Sequence, residues 1–383
     1  MSINSGFAYS DNLERASSIE LLKVLAIVLI VLSHVIRTLG ELGADFGIHL
    51  SASTCNIQAL TLSILFYSGS LGNTVFFICS AWFLLDSKGF KPKKFLQMLI
   101  DIWIVSVIIL VIVFFLRNGN LHLTEIIKSF FPTFFANNWY MTCYLLFYAF
   151  HPYLNKIIYE SSRISLFRLS VIAGTLYILI NFTGFGTFFT SWLMQWFVLY
   201  FVMAYMKLYM KEFADNKKKN LVLLLFGLIG NIALILLTNI LGLYIPFERF
   251  SQLLLRWNTN INVFLICATI GALNLARNIH FSSKWINYVS GLSMLIYIIH
   301  DNILLRTYYR PQMWQYIYTN YGFQHILMWT AVMVIIVFSF GLLSAILYKE
   351  TVQKLTKKII EKTETPLSHL YGRIENHLVS AIK

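Results

Sequence analysis

Apolar runs long enough to cross a lipid bilayer recur along most of the chain, and this restricts the fold more than any motif does. A spanning segment must satisfy its backbone N–H and C=O groups without water, and a helix of about 20 apolar residues does so within itself. About ten candidate spans are legible, near 19–38, 60–85, 96–116, 138–155, 168–182, 191–210, 220–241, 256–276, 285–305 and 325–348. The fifth is short and contains Gly174 and Asn181, which fits a tilted or interrupted helix. Only 12% of the 383 residues are charged and 58% are hydrophobic, whereas a soluble domain runs near a quarter charged. The expected fold class is therefore all-α, a polytopic integral membrane protein.

Charge sets the expected orientation. With ten spans both termini share a side. The even-numbered connections plus the C-terminal tail carry net +13, against +2 for the connections on the opposite face. The positive-inside rule then predicts cytoplasmic termini. The basic balance is thus mostly a topology signal, and no folded basic surface of the kind that reads nucleic acid is seen. The first run has no cleavage pattern after it. Cys55, Cys79, Cys143 and Cys267 lack metal-ligand spacing and are poorly placed for a disulfide framework, so neither bridges nor a metal site is expected. Residues 1–348 read as one membrane domain. Residues 349–383 read as a cytoplasmic tail whose Leu355, Ile359 and Ile360 suit an interfacial helix.

Within the first span, Lys23 and His34 are separated by eleven residues. That spacing is about three helical turns, so both lie on nearly one face, roughly 16 Å apart along the axis. Ionisable groups in a span usually face a bundle interior or a polar cavity. Glu20 stands one turn before Lys23 and suits an ion pair; Arg37 follows His34 at the outer rim. A neutral histidine is suited to take a proton from a hydroxyl, and a lysine near the inner surface to hold a phosphate. Each residue also has a plainer reading: Lys23 snorkelling to headgroups, His34 packing in the core.

In the ninth span His300 lies fifteen residues from the inner end, as His34 does, so the two are expected to share a cavity. Asp301 follows, more a helix-end contact than a partner for His300, because adjacent helical residues point about 100° apart. Ser290, Gly291 and Ser293 suit close helix packing. In the second span, Asn73 is polar at depth, near Gly69 and Gly72, and serves either that cavity or a packing seam, as does Ser80. The loop after it carries Lys88, Lys91, Lys93 and Lys94, a basic patch suited to an anionic ligand. Trp139 and Tyr140, at the expected outer start of the fourth span, are either aromatic-belt residues or a stacking platform for a sugar.

These marks together resemble the membrane-bound acyltransferase-3 family, and within it bacterial enzymes that modify surface polysaccharides. Arg15, Glu20, Lys23 and His34 match its opening pattern, in which a basic residue precedes the histidine by the same interval. Phe76 to Trp82, Trp139 to Pro152 and Ser290 to His300 resemble its later signatures, in the expected order. The family's arginine pair after the second span is missing; Lys91, Lys93 and Lys94 stand in that region. The resemblance implies transfer of an acyl group, most often acetyl, from cytoplasmic acyl-coenzyme A as co-substrate to a hydroxyl of a surface polysaccharide or its lipid-linked precursor, in the bacterial cytoplasmic membrane. It implies catalytic roles for Lys23, His34 and His300. Coenzyme A phosphates are expected near Arg15, Lys23, Lys91, Lys93 and Lys94, and the acceptor near Arg37, Asn73, Trp139 and Tyr140. A pantetheine arm of roughly 15–20 Å matches the Lys23–His34 separation. Asn73 and His300 are the candidate oxyanion donors. The expected partners are acyl-CoA, the glycan and membrane lipids, with association with glycan-synthesis proteins or a homodimer also open. A lipid-linked saccharide flippase or polysaccharide exporter would use the same buried polar groups without activating the substrate.

Overall fold

The computed structural model describes residues 17–41, 56–87, 89–183, 192–244, 248–322 and 325–362. Fifteen helices follow one another and no strand occurs among the described residues. The first seven are α1 (Ser17–Glu41), α2 (Ile57–Leu84), α3 (Pro92–Leu116), α4 (Leu123–Phe130), α5 (Trp139–Glu160), α6 (Arg163–Thr183) and α7 (Trp192–Tyr209). Then come the short α8 (Lys211–Asp215), α9 (Lys217–Tyr244), α10 (Glu248–Thr259) and α11 (Val263–Arg277). They are followed by α12 (Lys284–Ser290), α13 (Ser293–His300), a π-helical turn (Leu305–Tyr309), α14 (Arg310–Tyr321) and α15 (Ile326–Glu350). The fold is all-α and polytopic, as expected.

Among the described residues seven helical segments are long and apolar enough to cross a membrane: α1, α2, α3, α6, α9, the α10–α11 pair and α15. The other three expected spans form α5, α7 and the α12–α13 pair. α6 is continuous through Gly174, contrary to an interruption there. The breaks fall elsewhere. Between α10 and α11 the freed backbone meets a buried amide network: Gln195 Oε1 accepts from the Ile261 N–H at 3.0 Å, and Asn262 Oδ1 caps α11 by accepting from Leu265 N–H at 2.9 Å. A helix interrupted at membrane depth needs such substitutes for its lost backbone bonds.

α1 is the hub, packed against α2, α11, α12, α13, α14 and α15. Its approach to α2 depends on Gly72, where a Cβ would come within 2.6 Å of the Ala26 carbonyl oxygen. Small residues of this kind let membrane helices pack backbone to backbone.

The segment after α3 changes the expected layout. Asn118 and Gly119 turn the chain with φ of 51° and 79°. α4 then runs back along α3 instead of remaining at its outer end: Ser106 Oγ donates to the Ser129 carbonyl at 2.8 Å, and Trp103 Nε1 to the Phe130 carbonyl at 3.1 Å. At 1.5 Å per residue the chain has descended roughly 15–20 Å below Leu116. A compact turn over 131–138 follows, closed by Asn137 N–H to the Pro132 carbonyl at 2.9 Å and Asn137 Nδ2 to the Lys128 carbonyl at 2.7 Å. Consequently α5 begins deep in the bundle. The Tyr140 hydroxyl reaches the Asn73 carbonyl, sixteen residues beyond the start of α2, at 3.5 Å. The outer-surface placement expected for Trp139 and Tyr140 is corrected accordingly.

Beyond α15, residues 352–362 continue as a helix. It docks on the inner end of α3 through Gln353 Nε2, which donates to the buried Asp101 carboxylate at 2.7 Å. Leu355 and Ile359 lie exposed on its other face.

Candidate active site

At the inner end of α1, a cavity of about 570 Å³ is lined by Lys23, Lys91 and Lys94 together with Ser80, Tyr144 and Tyr148. Lys23 is held in place from two sides. Its ammonium pairs with Glu20 at 3.3 Å and sits 5.0 Å from the centre of the Phe83 ring. Glu20 in turn accepts a hydrogen bond from the Ser290 hydroxyl on α12, so the expected ion pair is anchored to the broken ninth span. Lys94 lies 5.1 Å over the Tyr148 ring. Lys93 does not line the cavity: it points to the C-terminal helix and pairs with Glu361 at 3.3 Å. Arg15 and Lys88 lie outside the described residues.

Two further cations stand at the cavity mouth that no local pattern marked. Lys207 donates to Asp86, a lining residue, at 2.6 Å. Lys207 and Arg277 both lie against the Trp82 ring, 4.4 Å and 4.0 Å from its centre. Basic and aromatic groups stacked in this way present positive charge at a fixed place.

At the other end of the same face of α1, His34 Nδ1 lies 3.0 Å from His300 Nε2, and the rings stack with centroids 5.2 Å apart. The neighbours dictate the tautomers. His300 Nδ1 is 2.8 Å from the Ile296 carbonyl, which can only accept, so the proton sits on His300 Nδ1. His300 Nε2 is then an acceptor and His34 Nδ1–H the donor. This leaves the lone pair on His34 Nε2 available. Asp301 does not serve His300; its carboxylate is 3.4 Å from His34 Nδ1 and 3.7 Å from Arg306. Arg310 fixes both backbones, donating to the His34 carbonyl at 3.2 Å and to the His300 carbonyl. Trp314 Nε1 adds a bond to the Val35 carbonyl at 3.0 Å. Arg37 lies exposed one turn beyond His34.

The expected single cavity containing Lys23, both histidines and Asn73 is not what forms. The cavity stops at Tyr144 and Ser80, and neither His34 nor Asn73 lines it. Aromatic rings fill the interval. Tyr140 lies one turn beyond Tyr144 on α5; its ring is 5.7 Å from that of Tyr297, which is 6.3 Å from His34. Tyr140 is buried and stacks edge-on to Trp196 at 4.8 Å, while Trp139 packs on Trp192 at 4.6 Å. Asn73 is buried beside them with its side-chain oxygen unpartnered. Sequence reasoning missed Tyr297, although it precedes His300 by three residues and so shares its helix face. Arg310 and Lys207 gave no such local signal.

Chemically, the arrangement offers a cationic cavity at one end and a tautomerically fixed base at the other. A family model described as an acyltransferase domain (acyltransferase-3) matches residues 17–349. No curated protein and no solved structure matches the chain.

Proposed function

The chain belongs to the acyltransferase-3 family of membrane acyltransferases, and we propose that it moves an acetyl group from cytoplasmic acetyl-coenzyme A to a hydroxyl of a bacterial surface polysaccharide or its lipid-linked precursor. The observation that carries this reading is the pairing, on one face of α1, of a lysine-lined cavity with the His34–His300 pair about three turns away.

The phosphates of coenzyme A sit against Lys23, Lys91 and Lys94, with Lys207 and Arg277 at the mouth. The pantetheine arm passes Tyr148 and Tyr144 and carries the thioester toward His34. Passage requires the rings of Tyr140 and Tyr297 to move, because they fill that interval in the unliganded protein. His34 Nε2 then takes the proton of the acceptor hydroxyl while its oxygen attacks the thioester carbonyl. Coenzyme A thiolate leaves, takes that proton, and the products are an O-acyl ester and free coenzyme A. His300 is a positioning residue: its lone pair holds His34 in the tautomer that acts as a base. The excess of basic residues on one set of connections supports a cytoplasmic side for the cavity and both termini in this reading.

The test is to incubate purified protein with labelled acetyl-CoA and extracted envelope glycan, and to compare alkali-labile esters of wild-type and deletion strains by mass spectrometry. Label transfer and loss of one ester class in the deletion strain are expected. Identical ester sets with no label transfer would overturn the reading and favour a glycan exporter.

A further inference from the structure

The deep end of the re-entrant segment leaves hydrogen-bond donors without acceptors among the aromatic rings near His34. α5 begins at Trp139, and its first backbone bond is Thr142 N–H to the Asn138 carbonyl at 3.1 Å. The N–H groups of Trp139, Tyr140 and Met141 therefore have no acceptor within the helix. Asn138, which precedes the helix, does not cap it with its side chain; its amide nitrogen is buried without a partner. Tyr297 is buried; its hydroxyl oxygen faces the Tyr140 N–H, and its own proton has no acceptor. A buried polar group left unpaired is destabilising, so such a cluster implies a ligand that completes it.

We propose that the N-terminus of α5, the Tyr297 hydroxyl and the Asn138 side-chain amide form the oxyanion site of the acyl transfer. The inference rests on the acyl-CoA reading above and assigns the groups that stabilise its transition state. All of these groups donate, which suits a carbonyl oxygen gaining negative charge. The N-terminus of a 22-residue helix adds the favourable end of its dipole. The Tyr297 and His34 rings are 6.3 Å apart, so the ring movement that admits the arm opens a place for the thioester carbonyl between base and donors. The two donors expected from sequence fit less well. Both ring nitrogens of His300 are engaged, by Ile296 and His34. Asn73 presents an unpartnered oxygen, which accepts.

In the step, the acceptor oxygen bonds to the thioester carbon and its proton passes to His34 Nε2. The carbonyl electron pair moves to the oxygen, where Tyr297, Asn138 and the α5 N–H groups hold it. Collapse restores the carbonyl, breaks the carbon–sulfur bond, and the thiolate recovers the proton from His34.

The experiment is isotope-edited infrared spectroscopy of carbonyl-labelled acetyl-CoA bound to the detergent-solubilised full chain, for wild type, Tyr297→Phe and Asn138→Ala. Binding to wild type is expected to move the thioester carbonyl band to lower wavenumber. Tyr297→Phe removes a hydroxyl whose proton has no acceptor in the unliganded protein. It is expected to bind acetyl-CoA within about twofold of wild type, to lose part of the band shift, and to turn over about 10²–10³-fold more slowly. Asn138→Ala gives the same test if Tyr297→Phe does not fold. A wild-type complex without a band shift, or a shift that survives in both variants, would overturn the oxyanion assignment while leaving the acyltransferase reading intact. Failure of wild type to bind acetyl-CoA at all would instead overturn the donor assignment, and this inference with it.

Discussion

His34 Nδ1 lies 3.0 Å from His300 Nε2, a contact between the first span and the ninth that joins residues 266 positions apart in the chain. Because the Ile296 carbonyl fixes the far nitrogen of His300, the pair has a direction: His300 accepts, His34 donates, and the base is on His34. His34→Ala is expected to abolish transfer. His300→Ala is expected to lower kcat by about 10²–10⁴-fold while leaving the KM for acetyl-CoA within about twofold. Steady-state kinetics on purified variants check this. A His300→Ala enzyme with unchanged kcat would remove His300 from the mechanism and leave His34 standing.

Lys23 and Lys93 are both basic residues near the N-terminal ends of their helices, and the structure separates them. Lys23→Ala is expected to weaken acetyl-CoA binding by about 10–100-fold, the range for losing a hydrogen bond to a charged group. Lys23→Arg keeps the charge with a different shape and should retain part of the affinity. Lys93→Ala, at a residue that pairs with Glu361 and does not line the cavity, should stay within about twofold of wild type. Titration calorimetry on the three variants distinguishes a donor site at the cavity from a diffuse basic surface, for which Lys93 and Lys23 would count equally.

Arg310 is buried and ties the carbonyls of His34 and His300 together. Arg310→Lys cannot reproduce the two-pronged guanidinium. The variant is expected to lower both activity and the thermal midpoint in detergent. A loss of about 1.5–3 kcal/mol corresponds to one charge-assisted bond. Unchanged thermal stability together with lost activity would make Arg310 a substrate contact instead of a clamp.

Gly72 tests the close approach of α1 and α2. A methyl group there would meet the Ala26 carbonyl oxygen at 2.6 Å, so Gly72→Ala must push the helices apart. Overpacking of this kind costs about 1–3 kcal/mol. Gly174→Ala, where nothing lies within 4 Å of the added carbon, is the matched control and should keep or slightly raise the unfolding midpoint.

The sequence by itself determined that the chain is a bundle of apolar helices, because hydrocarbon admits few backbone solutions and the length of each run reports directly on it. It also determined the register of Lys23, His34 and Glu20 on α1, since one helix has one periodicity. His300 was legible from its depth, and its partner was inferred from equal spacing to the cytoplasmic ends. Only the tertiary structure decided what meets across helices. The descent of α4 along α3 depends on bonds from Ser106 and Trp103 to distant carbonyls, and an eight-residue helix carries no pattern that says which way it runs. That descent moves the start of α5 from the expected outer surface to the side of Asn73 and Tyr297, turning Tyr140 from an interface residue into core, with Trp139 half-buried against it. The same holds for Lys93, whose partner Glu361 lies 268 positions away. Periodicity fixes the face a side chain occupies on its own helix, whereas the neighbour that face meets is set by the packing of all the helices at once.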